Sequence, residues 1–282
     1  MTICFTLAQF REAISKLSDV YKIGFVPTMG ALHKGHISLV KSALEYTPNV
    51  VVSIFVNPTQ FNNPNDLARY PSNIEGDCKA LEEAGTSIVF IPSKEEIYPK
   101  QDNRVFNLGT LDKTGEGPRR PGHFNGVAQV VTRLFDIVKP QLAFFGEKDF
   151  QQLAIIKHFT KELSYPIEII ACPTIRESDG LAMSSRNMLL THEHRSAAPR
   201  IFSTLERAAL MAAAQDLLTP TQLSQWVKEE IDKDPLLKTE YAEVVNSLTL
   251  ELIDNWNQAS EIQLCTAVFA GDVRLIDNIK IK

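Results

Sequence analysis

Short runs of β-branched and aromatic residues alternate with helix-patterned stretches through the first two-thirds of this chain, and that alternation admits few folds. Ile23–Val26, Val50–Val56, Ile88–Ile91, Leu142–Phe145 and Ile167–Ala171 read as buried strands. Between them, residues 36–46, 73–85, 124–138 and 149–163 carry apolar positions at helical spacing. The order calls for a parallel sheet covered by helices on both faces, a Rossmann-like doubly wound α/β arrangement. Ligands of such sheets gather at the carboxyl ends of the strands. The chemically unusual segments follow the strands ending near Val26, Val56, Phe145 and Ala171. A polar stretch rich in Asn and Pro, Asn57 to Asn73, is expected to be a working loop, and Gly109 to Gly122 is a second such stretch.

From about residue 180 the texture changes. Residues 193–215 predict one long Ala-rich helix and 222–233 a shorter one. Ala242–Asn246, Ile262–Phe269 and Val273–Ile279 predict antiparallel strands, with Ala270-Gly271-Asp272 as a turn. The expected organisation is therefore a Rossmann-like domain over 1–178 and a smaller α+β domain over 179–282 that closes on the first.

The length, 282 residues, leaves ample material for a buried core. A formal net charge of −5 argues against a dedicated nucleic-acid binder, whose footprint is a basic excess. Cys4, Cys78, Cys172 and Cys265 are far apart and form no C-x-x-C pair, so zinc-ribbon and redox-motif readings fail. The N-terminal stretch is interrupted too soon by Gln9, Arg11 and Glu12 for a signal peptide, and no apolar run reaches membrane-spanning length. A cytoplasmic protein with no membrane partner is expected.

Five segments carry chemistry. Pro27-Thr-Met-Gly-Ala-Leu-His33-Lys-Gly35-His36 runs from a strand through a glycine-bearing turn into a helix. Backbone N–H groups and the positive end of the helix dipole there make an anion site, to which two imidazoles three residues apart add donors. Histidines at a helix start also serve as ordinary caps; zinc is disfavoured because no third ligand lies nearby. Phe55-Val-Asn57-Pro-Thr-Gln60-Phe follows the next strand, and its amides can read hydroxyls and a carboxylate without bringing charge. Alone it reads better as a turn in which Asn-Pro stops the strand. Phe144-Phe-Gly146-Glu147-Lys148-Asp149-Phe-Gln-Gln152 is again strand, glycine, helix, with Lys148 placed to meet a polyphosphate and Gln152 one turn on. Glu147 or Asp149 can equally be an acid complementing the helix dipole. Ile175 through Gly180 to Met183-Ser184-Ser185-Arg186 offers hydroxyls and a planar guanidinium on a loop, which is also the ordinary composition of a linker. Arg119-Arg-Pro-Gly-His123-Phe-Asn-Gly126 is a candidate lid or pocket rim, or simply a Pro/Gly connection.

In this order the five segments closely resemble those of the pantoate–β-alanine ligase family, nucleotidyltransferases related to class I aminoacyl-tRNA synthetases. The likeness covers nearly the whole chain. His33 to His36 matches the H-x-G-H signature, and Met183-Ser184-Ser185-Arg186-Asn187 takes the place of the K-M-S-K-S loop. The resemblance implies ATP-dependent condensation of (R)-pantoate with β-alanine through a pantoyl adenylate, releasing diphosphate and AMP. It assigns Met29, Gly30, Ala31, Leu32, His33, Lys34, Gly35 and His36 to the ATP site, with His36 as the family's proton donor. Gly146, Glu147, Lys148, Asp149, Ile175, Met183, Ser184, Ser185 and Arg186 complete that site. His33 and Lys148 join His36 as catalytic residues, Gln60 and Gln152 hold pantoate, and Gln60 also meets β-alanine. The family's metal neighbourhood is thin here, Glu75 and Asp77 flanking Gly76. No protein-held metal is expected, and Mg²⁺ is expected with the phosphates. A homodimer is also implied.

Positioning and charge neutralisation dominate such chemistry, which suits cations around the phosphates. Neutral glutamines suit the nucleophile, because a tightly paired lysine would stabilise the ground-state carboxylate. Two rivals remain: a cytidylyltransferase or tRNA synthetase fragment, and a catalytically silent nucleotide-binding protein. The acidic balance opposes a tRNA partner, and retention of both histidines, Lys148 and the Ser-Ser-Arg loop opposes silence.

Overall fold

The computed structural model describes residues 1–61, 67–68, 70–213 and 218–282. Residues 62–66 and 69 of the expected working loop, and the end of the expected Ala-rich helix at 214–217, lie outside the described residues. The chain divides into two compact units. The first comprises Met1–Leu108, Arg120–Glu147 and Ile155–Pro173; the second comprises Gly109–Arg119, Lys148–Ala154 and Thr174–Lys282.

The first unit is built on six parallel strands: β1 (Thr2–Cys4), β2 (Ile23–Thr28), β3 (Asn49–Ile54), β4 (Ile88–Phe90), β5 (Leu142–Gly146) and β6 (Glu168–Cys172). Their order is β1-β4-β3-β2-β5-β6. Alternate side chains serve opposite faces. Val26, Val50 and Val52 pack with Leu39, Val40 and Ala43 of helix Lys34–Tyr46 and with Leu81 of helix Ile74–Glu83. Phe25, one residue from Val26, meets Phe135 of helix His123–Val138 edge-on, at 6.4 Å between ring centroids. Both faces of the sheet are thus covered. Fully burying each such side chain is worth roughly 1.5–3 kcal/mol, which is why the apolar runs end up at the centre. Strand β1 was not legible: it is three residues at the sheet edge, and its Ile3 remains 40% exposed.

The order of the strands positions the chemistry. From β2 the chain moves outward to β3 and β4, then returns to lay β5 against the other side of β2. The reversal makes β2 and β5 the switch point of the sheet, and parallel sheets bind ligands beyond the carboxyl ends of such strands. Strand β2 ends at Thr28 and β5 at Gly146.

In the second unit, β7 (Leu237–Asn246), β8 (Ile262–Ala270) and β9 (Val273–Lys280) form an antiparallel sheet in that order. Gly271, at φ +61°, opens the two-residue turn between β8 and β9. Helices Arg200–Ala213 and Pro220–Asp232 bury Ile201, Leu205, Ala208, Leu223, Val227 and Ile231 against Leu264, Val268 and Leu275 of this sheet. The single helix expected over 193–215 is two, His192–Ala197 and Arg200–Ala213. Pro199 stands between them and has no N–H to give the carbonyl four residues back. Strand β7 begins five residues earlier than expected because its pairing shifts between Thr239 and Tyr241, which interrupts the alternating pattern. Among the described residues no helix is long and apolar enough to cross a membrane.

Candidate active site

The loop leaving β2 is held from within. Thr28 Oγ1 donates to the Ser53 carbonyl at 2.8 Å and accepts from Gly30 N–H at 3.3 Å. Gly30 (φ +81°) and Ala31 (φ +51°) then turn the backbone through the left-handed region. This directs two amides inward. Ala31 and Leu32 N–H groups donate to the two carboxylate oxygens of buried Asp77, at 2.9 and 2.7 Å. Asp77 comes from the first turn of helix Ile74–Glu83, so the acid that resemblance placed in a metal neighbourhood braces the loop instead.

His33 is the N-cap of helix Lys34–Tyr46, in extended conformation, and its Nδ1 accepts from Gly35 N–H at 3.1 Å. His36 Nδ1 in turn accepts from His33 N–H at 3.3 Å, and the rings lie 4.1 Å apart. A ring nitrogen that accepts carries no proton, so each neutral imidazole is protonated at Nε2. The capping and ligand-donor readings are therefore compatible: Nδ1 caps, Nε2 donates. The expected cradle of backbone amides is the part that differs. Amides of Ala31 and Leu32 are committed to Asp77, and those of His33 and Gly35 to the two imidazoles.

After β3 the chain turns through the 3-10 segment Pro58–Gln60, capped by fully buried Asn57. Asn57 Oδ1 accepts from Thr59 N–H, Thr59 Oγ1 and the Tyr98 hydroxyl. Its Nδ2 donates to the Gly126 carbonyl at 3.1 Å and to Gln60 Oε1 at 3.2 Å. That last bond fixes which way the Gln60 amide faces, and Gln60 Nε2 lies 2.9 Å from Met29 Sδ. Two of the sequence-predicted site residues are thus in contact. His123 and Gly126 hold the same turn from helix His123–Val138. His123 Nδ1 lies 2.7 Å from the Gln60 carbonyl, and a Cβ on Gly126 would meet the Thr59 carbonyl oxygen at 2.5 Å. Sequence reasoning offered Asn57 as a reader of hydroxyls or a strand-stopping turn and His123 as part of a lid or pocket rim, not as the pair that holds Gln60; a histidine and a glycine three residues apart, on one helical face, was the available signal.

In the second unit, Lys148 lies in the 3-10 turn Glu147–Asp149 that leads into helix Phe150–Glu162. Its side chain is mostly buried, with Nζ 3.9 Å from Asp149 Oδ1. Of the two glutamines that follow, Gln151 is structural. It donates to the Leu111 and Thr114 carbonyls and accepts from Glu116 N–H, securing the stretch Gly109–Arg119. Gln152 has none of these bonds. The loop at 175–186 is a small hairpin: Met183 N–H donates to the Ile175 carbonyl, and Glu177 N–H to the Leu181 carbonyl. Gly180, at φ +92°, makes its turn. Met183 and Ser185 are buried, while Ser184 caps the following 3-10 segment and accepts from Arg186 N–H. Among the described residues no three His, Cys, Asp or Glu side chains gather as a metal site.

A doubly wound sheet with an H-x-G-H helix start at its switch point defines a nucleotide-binding α/β protein. The family model for pantoate–β-alanine ligase matches residues 2–280. Pantothenate synthetases of Bacteroides fragilis and Porphyromonas gingivalis are 49% and 50% identical, with 99% or more of each chain covered. The crystal structure of pantothenate synthetase from Thermus thermophilus is 39% identical with a TM-score of 0.92, covering 100% of this chain and 99% of that one. The Francisella tularensis pantoate–β-alanine ligase complexed with β-γ ATP and β-alanine is 37% identical with a TM-score of 0.84, covering 100% and 98%. This chain belongs to the pantoate–β-alanine ligase family, enzymes that use ATP and join pantoate to β-alanine to give pantothenate.

Proposed function

We propose that this chain activates (R)-pantoate as an adenylate and then transfers the pantoyl group to β-alanine. The pantoate carboxylate attacks the α-phosphorus of ATP, the bond to the bridging oxygen breaks, and diphosphate leaves. The β-alanine amine then attacks the acyl carbon of the mixed anhydride, loses a proton, and expels AMP. The observation that carries the reading is the locked pair His33 and His36. With both Nδ1 atoms accepting from backbone, Nε2–H is the donor each ring can offer an oxyanion. Such donors, fixed before reaction, stabilise charge growing on the phosphates without reorganising.

In this reading Met29 through His36, with Gly146, Glu147, Lys148, Asp149, Ile175 and Met183 through Arg186, serve ATP. Lys148 and Arg186 supply the cations. Gln60 and Gln152 hold pantoate, and Gln60 also meets the amine substrate. Gln60 suits this task because Asn57 and His123 set its side chain and its carbonyl, and it brings no charge that would blunt the nucleophile. Mg²⁺ would arrive with the triphosphate and neutralise it. Asp77 serves the loop, its two carboxylate oxygens accepting from Ala31 and Leu32. The resemblance implies a homodimer, and the composition of the chain a cytoplasmic one.

ATP–diphosphate exchange with and without pantoate, followed by AMP release on adding β-alanine, tests the reading. Exchange that requires pantoate supports it; exchange indifferent to pantoate refutes it. Sedimentation of the full chain checks the dimer.

A further inference from the structure

Strand β9 carries two adjacent polar residues that are almost fully buried, Asp277 and Asn278. Asp277 binds the base of the 175–186 hairpin. Arg176 reaches it with both terminal nitrogens, Nη1 to Oδ2 at 2.7 Å and Nη2 to Oδ1 at 2.9 Å. The same guanidinium lies 3.4 Å over the Phe202 ring centroid and donates to the Gly180 carbonyl at 3.2 Å. One arginine therefore grips both the start and the turn of the hairpin, and its own position is set by a planar, bidentate charge pair.

Asn278 reaches a different segment. Its Nδ2 donates to the main-chain carbonyl of Lys148 at 2.9 Å. The Lys148 carbonyl can only accept, which fixes the orientation of the amide, and its Oδ1 then accepts from buried Gln263 Nε2 at 2.6 Å on the neighbouring strand. Asn278 N–H also donates to Asp277 Oδ1 at 2.8 Å, which links the two side chains. Successive residues of a strand point to opposite faces, so a single step along β9 holds two segments distant in sequence.

We propose that Asp277 and Asn278 are positioning residues for the nucleotide: they set the Lys148 turn and the Ser184-Ser185-Arg186 loop in one frame. The inference rests on the reading of Lys148 and Arg186 as triphosphate donors and extends it to residues that touch no substrate. A purely structural role would make the same substitutions lower stability without singling out one substrate.

The test measures KM for ATP and for pantoate by diphosphate exchange on the full-length enzyme carrying Asn278→Asp or Asp277→Asn, with melting temperatures recorded alongside. Asn278→Asp keeps size and the acceptor for Gln263 but loses the donor to Lys148. Each substitution is expected to raise KM for ATP about tenfold, the size of one lost oriented hydrogen bond, with KM for pantoate unchanged. Should Asn278→Asp fail to fold, Asn278→Ser reads the same quantities without the added charge. A lower melting temperature with unchanged KM for ATP overturns the proposal, as does a parallel rise in both constants. Lys148→Ala separates the two levels. If it leaves exchange intact, the reading of Lys148 fails and this inference with it. If it abolishes exchange while Asn278→Asp does nothing, the positioning role alone is refuted.

Discussion

The two loops expected to meet the phosphates are held by different means. The Met29–His36 loop of the parallel unit closes mostly on itself: histidine caps bond amides two or three residues away, and Asp77 adds one long-range brace. The 175–186 hairpin of the antiparallel unit has its own turn bonds, but its anchor is Arg176 on Asp277, 101 residues along the chain. A loop closed by neighbouring residues can be written into one short motif. A loop held by a distant ion pair needs the whole sheet to have formed first, since the loop-closure entropy must be met before the contact forms. The first loop carries the family's most recognisable signature; the second reads as an ordinary hydroxyl-rich linker.

The largest expected effect tests the self-closed loop. His36→Ala removes an Nε2–H donor and the acceptor for His33 N–H, and should lower pantoate-dependent exchange by about 10²-fold or more. Pantoate affinity should move far less, as equilibrium binding of labelled pantoate would read. Equal small losses would mark the histidine as structural and remove the contrast between the loops.

Asp77→Ala tests the long-range brace on the Ala31 and Leu32 amides. It leaves two inward-pointing amides without their carboxylate, a loss of roughly 2–3 kcal/mol read by urea unfolding. Adenylate formation should fall with it. A stable, fully active variant would mean that the caps alone hold the loop.

Gly126→Ala asks whether the turn that carries Gln60 tolerates displacement. The new Cβ meets a carbonyl oxygen, so backbone has to shift, and KM for pantoate should rise about tenfold while KM for ATP holds. A rise confined to ATP would reassign the turn.

The smallest effect concerns an ion pair within the parallel unit, Asp102 with Arg104 and Arg133. The hydrogen bond from Arg104 holds the Asp102 carboxyl down at about 2, against an ordinary 3.8. A depressed carboxyl stabilises the fold above its unfolded value and loses that contribution as pH falls from 3.8 toward 2. Arg104 is 40% exposed, so solvent screening limits the gain to about 1 kcal/mol. Asp102→Asn should therefore be less stable than the parent at neutral pH and converge with it near pH 2 in acid-unfolding curves. A gap that persists at low pH would point to packing rather than charge.

The elements legible from residues alone share a cause. β2, β3 and β5 announce themselves because each apolar run is long enough to be buried on both faces. The break at Pro199 was equally local and was there to be read. β1 and the first half of β7 were not, since a three-residue edge strand and a bulged strand show no clean period. Among the candidate site residues, the two histidines, Gln60 and Lys148 are distinctive by type and place in the sequence. Asp77, Asn57 and His123 are not: an acid on an amphipathic helix, an Asn-Pro and a histidine beside a glycine each have ordinary explanations until the partner is known.

Residue order along the chain was enough to specify the alternating strands and helices, the glycine turn before His33, and the family to which the whole belongs. Those properties depend on spacing over a dozen residues or fewer, or on motifs that keep their order. Which ring nitrogen of His33 and His36 carries its proton, why Asp77 braces amides, and how Asp277 and Asn278 reach Arg176 and Lys148 emerged only when the chain was folded. Each is a bond between groups whose spacing in space bears no simple relation to their spacing in sequence, and a hydrogen bond or ion pair exists only at close range.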